Sequence, residues 1–562
     1  MSPHPPARPQ RYLRLPLLAI VGILLIIIAV GGVYLGMTGV HEGKPWAPRP
    51  LPSRYLPEAA GEDVLVISGI PLLDNPSMGI HRPSWREVEE ALPELKRVGV
   101  NVIFLWAPYE RAKPVDKIVA YTSEGEVQLN VKWWVKPKNF LKPDPERGSE
   151  EEFLRMIKTA HSLGIKVLPQ LCILTSIPGD FIYEEHPEWI LKSIYGKPAV
   201  AWPWATSSWG YVINKAHPEL IRYVTEVLMP HWIKIWGADG IFLDAPGIIY
   251  CDLHLRDLLR DLKERGELPS GFECLTPVEG YYSPEPLVRA MRAKIDELER
   301  ELGRDLIFAG EHILKAWQDL PDDLIMMRIK RRDPYDILMD PRMNRSLGRY
   351  FDWIWGYSYR MFLKRVYSGG DSSYSENYVK YFELERNLDA KYTGIARFVT
   401  MLNDMMPYVD LLKPEVAGCY ITLAVTAPGR IVWIGIYQLP PQNEKAGEIL
   451  GWNSSLLKDW YARLIALKRA YPALQSDNIE NALIKPRLPR LIAYNRWLGN
   501  QSLTVLVNAN ESPVTAYVKT RFKGETVTLI DLISAEETRG DPKNLRVEMP
   551  PYSARILAIK TE

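Results

Sequence analysis

The residues from Trp236 to Pro246 read WGADGIFLDAP. An apolar run, Ile241 to Leu243, begins after Gly240 and ends on a carboxylate, Asp244. A short buried strand that delivers a charged residue at its carboxyl end is how a (β/α)8 barrel presents chemistry, because the barrel wall is apolar and the reacting groups emerge in the loops beyond the strand ends. Asp is also a favoured helix N-cap, so Asp244 taken alone fits a purely structural capping role as well. The rest of the chain decides between the two.

Outward from this stretch, apolar periodicity alternates between strand and helix. Pro218 to Trp236 reads as a helix leading into the strand Gly240 to Asp244. Downstream come a helix at Leu287 to Leu302, a strand at Leu306 to Ala309 that ends in Gly310 and Glu311, and a strand-like run at Tyr378 to Leu384 that ends near Asn387 and Asp389. Upstream, Asp63 to Ser68 reads as a strand. Ser84 caps a helix whose Val88, Leu92, Leu95 and Val98 recur at helical spacing, and Val100 to Trp106 is a second strand. A second unit follows, with the helix Glu150 to Leu163 and the strand Ile165 to Leu174. Alternating βα units of this number predict a parallel sheet closed as a TIM barrel over residues 63–472. Residues 175–212 interrupt the alternation with an excursion holding Trp189, Trp202, Trp204 and Trp209.

Beyond helix Asp459 to Arg469 the character changes. Leu491 to Trp497, Leu503 to Asn508, Val514 to Lys519, Thr526 to Asp531, Leu545 to Met549 and Ala554 to Ile559 are short runs of period two, which predicts an all-β sandwich over 473–562.

The amino end is of another kind. Leu15 to Gly36 is uncharged and almost wholly apolar, long enough at 1.5 Å per residue to cross a hydrocarbon core of about 30 Å. It exceeds the apolar region of a cleaved signal peptide, roughly 7 to 15 residues. Arg8, Arg11 and Arg14 crowd its amino side, so residues 1–14 are expected in the cytoplasm, 15–36 across the cell membrane as a single pass, and the bulk outside. The proline-rich residues 37–62 then suit an extended spacer.

Composition removes several classes of function. The 69 Lys plus Arg against 68 Asp plus Glu leave no basic field for a nucleic-acid partner. Cys172, Cys251, Cys274 and Cys419 lack the spacing of a metal site, and neither metal nor cofactor is expected. Cys251 and Cys274 share the insertion after the Asp244 strand; an outside location permits a disulfide there, and two buried thiols are the alternative.

Asp244 and Glu311 each follow an apolar strand of one barrel, and glycoside cleavage uses such a carboxylate pair as nucleophile and acid/base. Asp389 is a candidate third carboxylate. At this point the sequence resembles the α-amylase family of glycoside hydrolases. Lys142 to Val167 is similar to that family's helix and strand before its first signature, Asn214 to Asp244 to the segment entering the nucleophile strand, Ile307 to Glu311 to the acid/base strand, and Leu423 to Gly435 to the strand near the barrel's end. The excursion stands in the place of the family's inserted domain. The resemblance implies Asp244 as nucleophile, Glu311 as acid/base and Asp389 as stabiliser, with Asn403 and Asp404 an alternative match for the last; Asp389 is preferred here because a strand precedes it while Ile395 to Met405 reads as helix. It implies an oligosaccharide or polysaccharide substrate, with Phe242, Trp106, Trp204, Trp209, Gln170 and His312 as substrate-binding positions. For the tryptophans the alternative is a place in the excursion's own core, and for His312 a hydrogen bond to a backbone carbonyl.

The departures from that pattern are specific. Gln170, Leu174 and Thr175 replace the Asp, Asn and His of the first signature, Phe242 the Arg two residues before the nucleophile, and Leu388 the His of the last triplet. Leu174 also removes a calcium ligand of the family. Two readings follow: a membrane-anchored retaining glycosidase or transglycosidase of altered specificity, and a catalytically silent barrel that serves a membrane-protein partner, similar in architecture to the heavy chains of heteromeric amino-acid transporters.

Overall fold

The computed structural model describes residues 64–70, 82–131, 135–201, 207–246, 250–266, 274–312, 347, 350–356, 375–380, 382–383, 399–401, 414–434 and 455–560. The expected membrane span 15–36, the tail and the spacer lie outside them. Among the described residues no helix is long and apolar enough to cross a membrane.

Strand β1 (Leu65–Ile70) is followed by helix α1 (Trp85–Val98), which buries Val88, Leu92, Leu95 and Val98 along one face. Its start is fixed by a capping box. The Ser84 hydroxyl accepts from the Glu87 N–H, and the Glu87 carboxylate accepts from the Ser84 N–H at 2.7 Å. Next come β2 (Val102–Leu105), α2 (Glu150–Ser162, with the same box at Ser149 and Glu152) and β3 (Lys166–Leu171). A helical segment over 218–236 leads to β4 (Gly240–Leu243), and α3 (Glu285–Leu302) leads to β5 (Ile307–His312). The last barrel strands are β6 (Trp353–Gly356), β7 (Val399–Met401) and, after helix α4 (Pro414–Thr426), β8 (Ile431–Ile434).

These eight strands form one sheet in the order β6-β5-β4-β3-β2-β1-β8-β7. Every ladder in it is parallel, including the one that joins β1 to β8. Chain order is therefore kept around the sheet, and its end strands β6 and β7 meet, giving the eight-stranded barrel that alternating βα units predict. Gly240 shows why the wall closes here. A Cβ at this position would stand 2.0 Å from the Ile307 carbonyl oxygen, so only glycine lets β4 approach β5.

Within the barrel, alternate strands supply one layer of aromatic rings. Phe104 of β2, Phe242 of β4, Trp353 of β6 and Trp433 of β8 close a ring, with centroid distances of 4.9 Å (Phe104 to Phe242), 5.9 Å (Phe242 to Trp353), 6.4 Å (Trp353 to Trp433) and 4.9 Å (Trp433 to Phe104). All four are buried. A layer built from four alternate strands is how the interior of this barrel type fills, and edge-to-face packing suits the ring quadrupoles.

Two sequence expectations are corrected. Residues 375–380 are helical where a strand was expected at 378–384, and Val399–Met401 is strand β7 where a helix was expected at 395–405. Tyr and Val carry high strand propensity, yet Tyr378 here stacks on Tyr494 at 5.0 Å and donates to the Leu423 carbonyl at 2.8 Å, contacts that a helix supplies. The excursion is also not self-contained. Its Ser207–Ser208 pairs with Gly125–Val131, a strand of a hairpin in the loop after β2.

After helix α5 (Ser455–Ala470), two antiparallel sheets follow. One is six-stranded and includes Leu491–Leu498, Gln501–Asn508 and Ser553–Ile559; the other comprises Leu483–Lys485, Val514–Val518 and Leu545–Met549. A shared core of Ala493, Leu506, Leu529 and Leu557 from the first with Ala516, Val518, Val547 and Met549 from the second makes this a sandwich.

Candidate active site

The strand ends β3, β4 and β5 assemble the site. Leu243 is in register with Gly310, which sets Asp244 and Glu311 one step further on, at the same rim of adjacent strands. The Asp244 N–H donates to the carbonyl of Leu171, the last residue of β3, at 3.0 Å. The next amide, that of Ala245, donates to Glu311 Oε2 at 3.1 Å. Asp244 is only 8% exposed and Glu311 6%. Asp244 lies beside the buried Cys172 thiol at the β3 end, whose pKa its charge raises.

Two alanines carry strained backbone at this rim. Ala245 has φ 36° and Ala107, just past β2, has φ 33°, a region that L-residues with a Cβ avoid. Each aims its N–H at a buried side chain of a neighbouring strand: Ala245 at Glu311, and Ala107 at the Gln170 Oε1, 3.2 Å away.

Two lysines are buried here that sequence reasoning missed. Lys215 Nζ donates to the carbonyls of Ala245 at 2.7 Å and Pro246 at 3.3 Å. Burial lowers its pKa to about 8, while Asp244, Cys172 and Glu311 oppose the fall. Lys136 donates to the hydroxyl of Thr175, which in turn donates to the Trp209 carbonyl at 2.8 Å. Burial lowers the Lys136 pKa too, while Cys172, Asp180 and Asp244 oppose the fall. Burial and the neighbouring Asp244 push the Cys172 thiol well up, so it stays a neutral thiol in the site. The only sequence signal for either lysine was a charge inside an otherwise apolar or aromatic stretch; the barrel brings Lys215 to the turn after Asp244 from the segment before a helix.

The remaining expected positions separate. Gln170 is buried beside Phe242, its register partner, and Trp106 is buried edge-on to Phe104 at 4.8 Å. Trp209 is nearly buried in the excursion, held through its carbonyl. Phe242 was expected to line the sugar site; it is instead 0% exposed and belongs to the aromatic layer below. His312 ends β5, its backbone paired with Gly356. Trp204, Asp389, Asn403 and Asp404 lie outside the described residues. Strand β7 nonetheless ends at Met401, shortly before Asn403 and Asp404, so the ground for preferring Asp389 is removed. Cys251 and Cys274 are joined in a disulfide. Among the described residues no cluster of His, Cys, Asp or Glu could hold a metal ion.

No protein-family model matches the sequence. Solved structures do match the fold. A noncanonic maltogenic α-amylase, AmyB from Thermotoga neapolitana, aligns with a TM-score of 0.58 at 15% identity, over 89% of this chain and 99% of that one. The α-amylase from H. orenii aligns with a TM-score of 0.57 at 16% identity, over 89% and 100%. AmyP, solved in complex with maltose, gives 0.54 at 14%, over 91% and 99%. Over about nine-tenths of its length the chain thus has the fold of the α-amylases.

Proposed function

We propose that this chain is a retaining glycoside hydrolase or transglycosidase acting on α-linked glucans or related glycans. The observation that carries this reading is the pairing of Asp244 and Glu311 at one rim of adjacent strands, tied together by the Ala245 amide. In the retaining mechanism Asp244 attacks the anomeric carbon and the leaving oxygen takes the proton of Glu311. Glu311 then draws a proton from water, or from an acceptor hydroxyl, as the glycosyl–Asp244 bond is broken. The N–H of Ala245 fixes one oxygen of Glu311, leaving the other to carry the proton. The third carboxylate is assigned to Asp404, since Met401 ends a barrel strand, rather than to Asp389. Maltose in AmyP supports an α-glucoside as the first substrate to try.

The anchoring read from Leu15 to Gly36 belongs to the same proposal: a single-pass protein of the cell membrane with its barrel outside. The Cys251–Cys274 disulfide supports this placement, because such bonds persist in oxidising compartments.

The test is release of reducing sugar or formation of transfer product from a panel of α-glucosides by the purified protein, beside Asp244→Asn. The expected result is turnover by the parent and a loss of at least about a thousandfold in the variant, the scale on which removal of a nucleophile acts. Equal rates in the two proteins overturn the reading.

Two observations favour a silent barrel instead. Phe242 completes a closed aromatic layer where the family's arginine would stand, and Thr175 is engaged by Lys136 and the Trp209 carbonyl. On that reading the barrel serves a membrane-protein partner; turnover by no α-glucoside together with a second chain co-purifying in detergent is its signature.

A further inference from the structure

We propose that Lys215 is a positioning residue of this site, holding through Ala245 the strained turn that carries Asp244 and orients Glu311. The proposal rests on the reading of Asp244 and Glu311 as the reacting pair. Its geometry is a chain of contacts on one residue. Lys215 Nζ donates to the Ala245 carbonyl at 2.7 Å, and the Ala245 N–H donates to Glu311 Oε2 at 3.1 Å. The second bond from Lys215, to the Pro246 carbonyl at 3.3 Å, spans the turn.

The turn needs such a clamp. Ala245 sits at φ 36°, and a non-glycine residue persists in that region only where its surroundings over-determine it. If the turn relaxed, the Ala245 amide would swing off Glu311 and Asp244 would lose its register beside β5. The position two residues before Asp244, which carries an arginine in the α-amylase family, holds Phe242, which is committed to the aromatic layer. A cation reaching Asp244 must therefore come from elsewhere. Lys215 supplies it from the segment before the 218–236 helix, fully buried, with the charge of Asp244 and Glu311 favouring its charged form. A buried ammonium is costly unless paired and hydrogen-bonded. Here the hydrogen bonds are with the turn, and the charges of Asp244 and Glu311 favour the ammonium through space.

The experiment uses the full chain in detergent, with Lys215→Met, Lys215→Arg, Glu311→Gln and the Lys215→Met/Glu311→Gln double variant. With an active parent, Lys215→Met is expected to lower kcat at least tenfold while KM changes less than threefold, and Lys215→Arg, which restores a cationic donor, to recover at least a third of that loss. A Lys215→Met variant whose kcat stays within twofold of the parent overturns the inference. The apparent unfolding constants of the four proteins give a second measure that needs no turnover. Linkage through Ala245 makes the double variant's change differ from the product of the single changes by threefold or more, and effects that multiply overturn it. A parent without turnover therefore sinks the enzymatic reading while this cycle still decides the role of Lys215. If Lys215→Met does not fold, Lys215→Gln takes its place in the cycle.

Discussion

At the scale of single residues, the stretch that identifies the barrel contains two aspartates with opposite duties. Asp239 lies at the amino-terminal rim. It accepts from the Val167 N–H at 2.8 Å and His161 Nε2 at 2.8 Å, and it pairs with Arg304. Burial works against its charge, but these partners hold its carboxyl below the usual range, so it stitches β3 to β5. Asp244, at the carboxyl-terminal rim, is instead surrounded by the buried Lys215, Lys136 and Cys172, whose pKa values its charge raises. Between them, Gly240 leaves no room for a side chain. We expect Gly240→Ala to destabilise the protein by more than about 3 kcal/mol, because the new Cβ collides with backbone that cannot yield, unlike the far end of a flexible side chain. Thermal unfolding of the variant checks this; a shift within 2 °C or so of the parent would show that β4 and β5 can part locally.

At the scale of elements, the departures from the α-amylase signature sort into two depths. Gln170 and Thr175 change polar groups at the rim, where Ala107 and Lys136 now engage them. Phe242 changes the layer beneath, where β2, β4, β6 and β8 each contribute one ring. Returning the family's residue at this position is therefore not a restoration. Phe242→Arg would set a guanidinium among three rings committed to one another, and the expected outcome is a loss of about 3–5 kcal/mol from the unpaired buried charge, with no gain in turnover. Thermal melting and the α-glucoside assay read the two parts separately. A variant as stable as the parent would mean that the layer can open toward Asp244.

At the scale of the whole molecule, one buried cation joins barrel to sandwich. Arg496, on a sandwich strand, donates to the carbonyl of Thr426 at the end of α4 and to those of Ser476 and Asn478. Lys468 of α5 adds bonds to the Ala427 and Leu474 carbonyls at 2.9 and 3.0 Å. Arg496→Met would leave several carbonyls of the joint without donors, at about 1–3 kcal/mol for each that stays buried. The expected result is cleavage by protease at the joint and separate melting of the two domains in calorimetry; a single transition at the parent's temperature would show that apolar packing alone holds them. Much of the architecture was legible in the sequence, because strand and helix periods in β1 to β5 and in the sandwich agree with the burial each segment meets. It was not legible at 375–401, where the strand propensity of Tyr378 yields to its packing on Tyr494 and Leu423, and where β7 is too short to show a period. The sequence by itself determined the order of elements and the placing of Asp244 and Glu311 after their strands, since both follow from local pattern. Only the tertiary structure decided what surrounds them: Lys215 and Lys136 above, an aromatic layer below, and a strained alanine between. The two lysines and three of the four rings come from distant parts of the chain, and only closure of the barrel brings them to this rim.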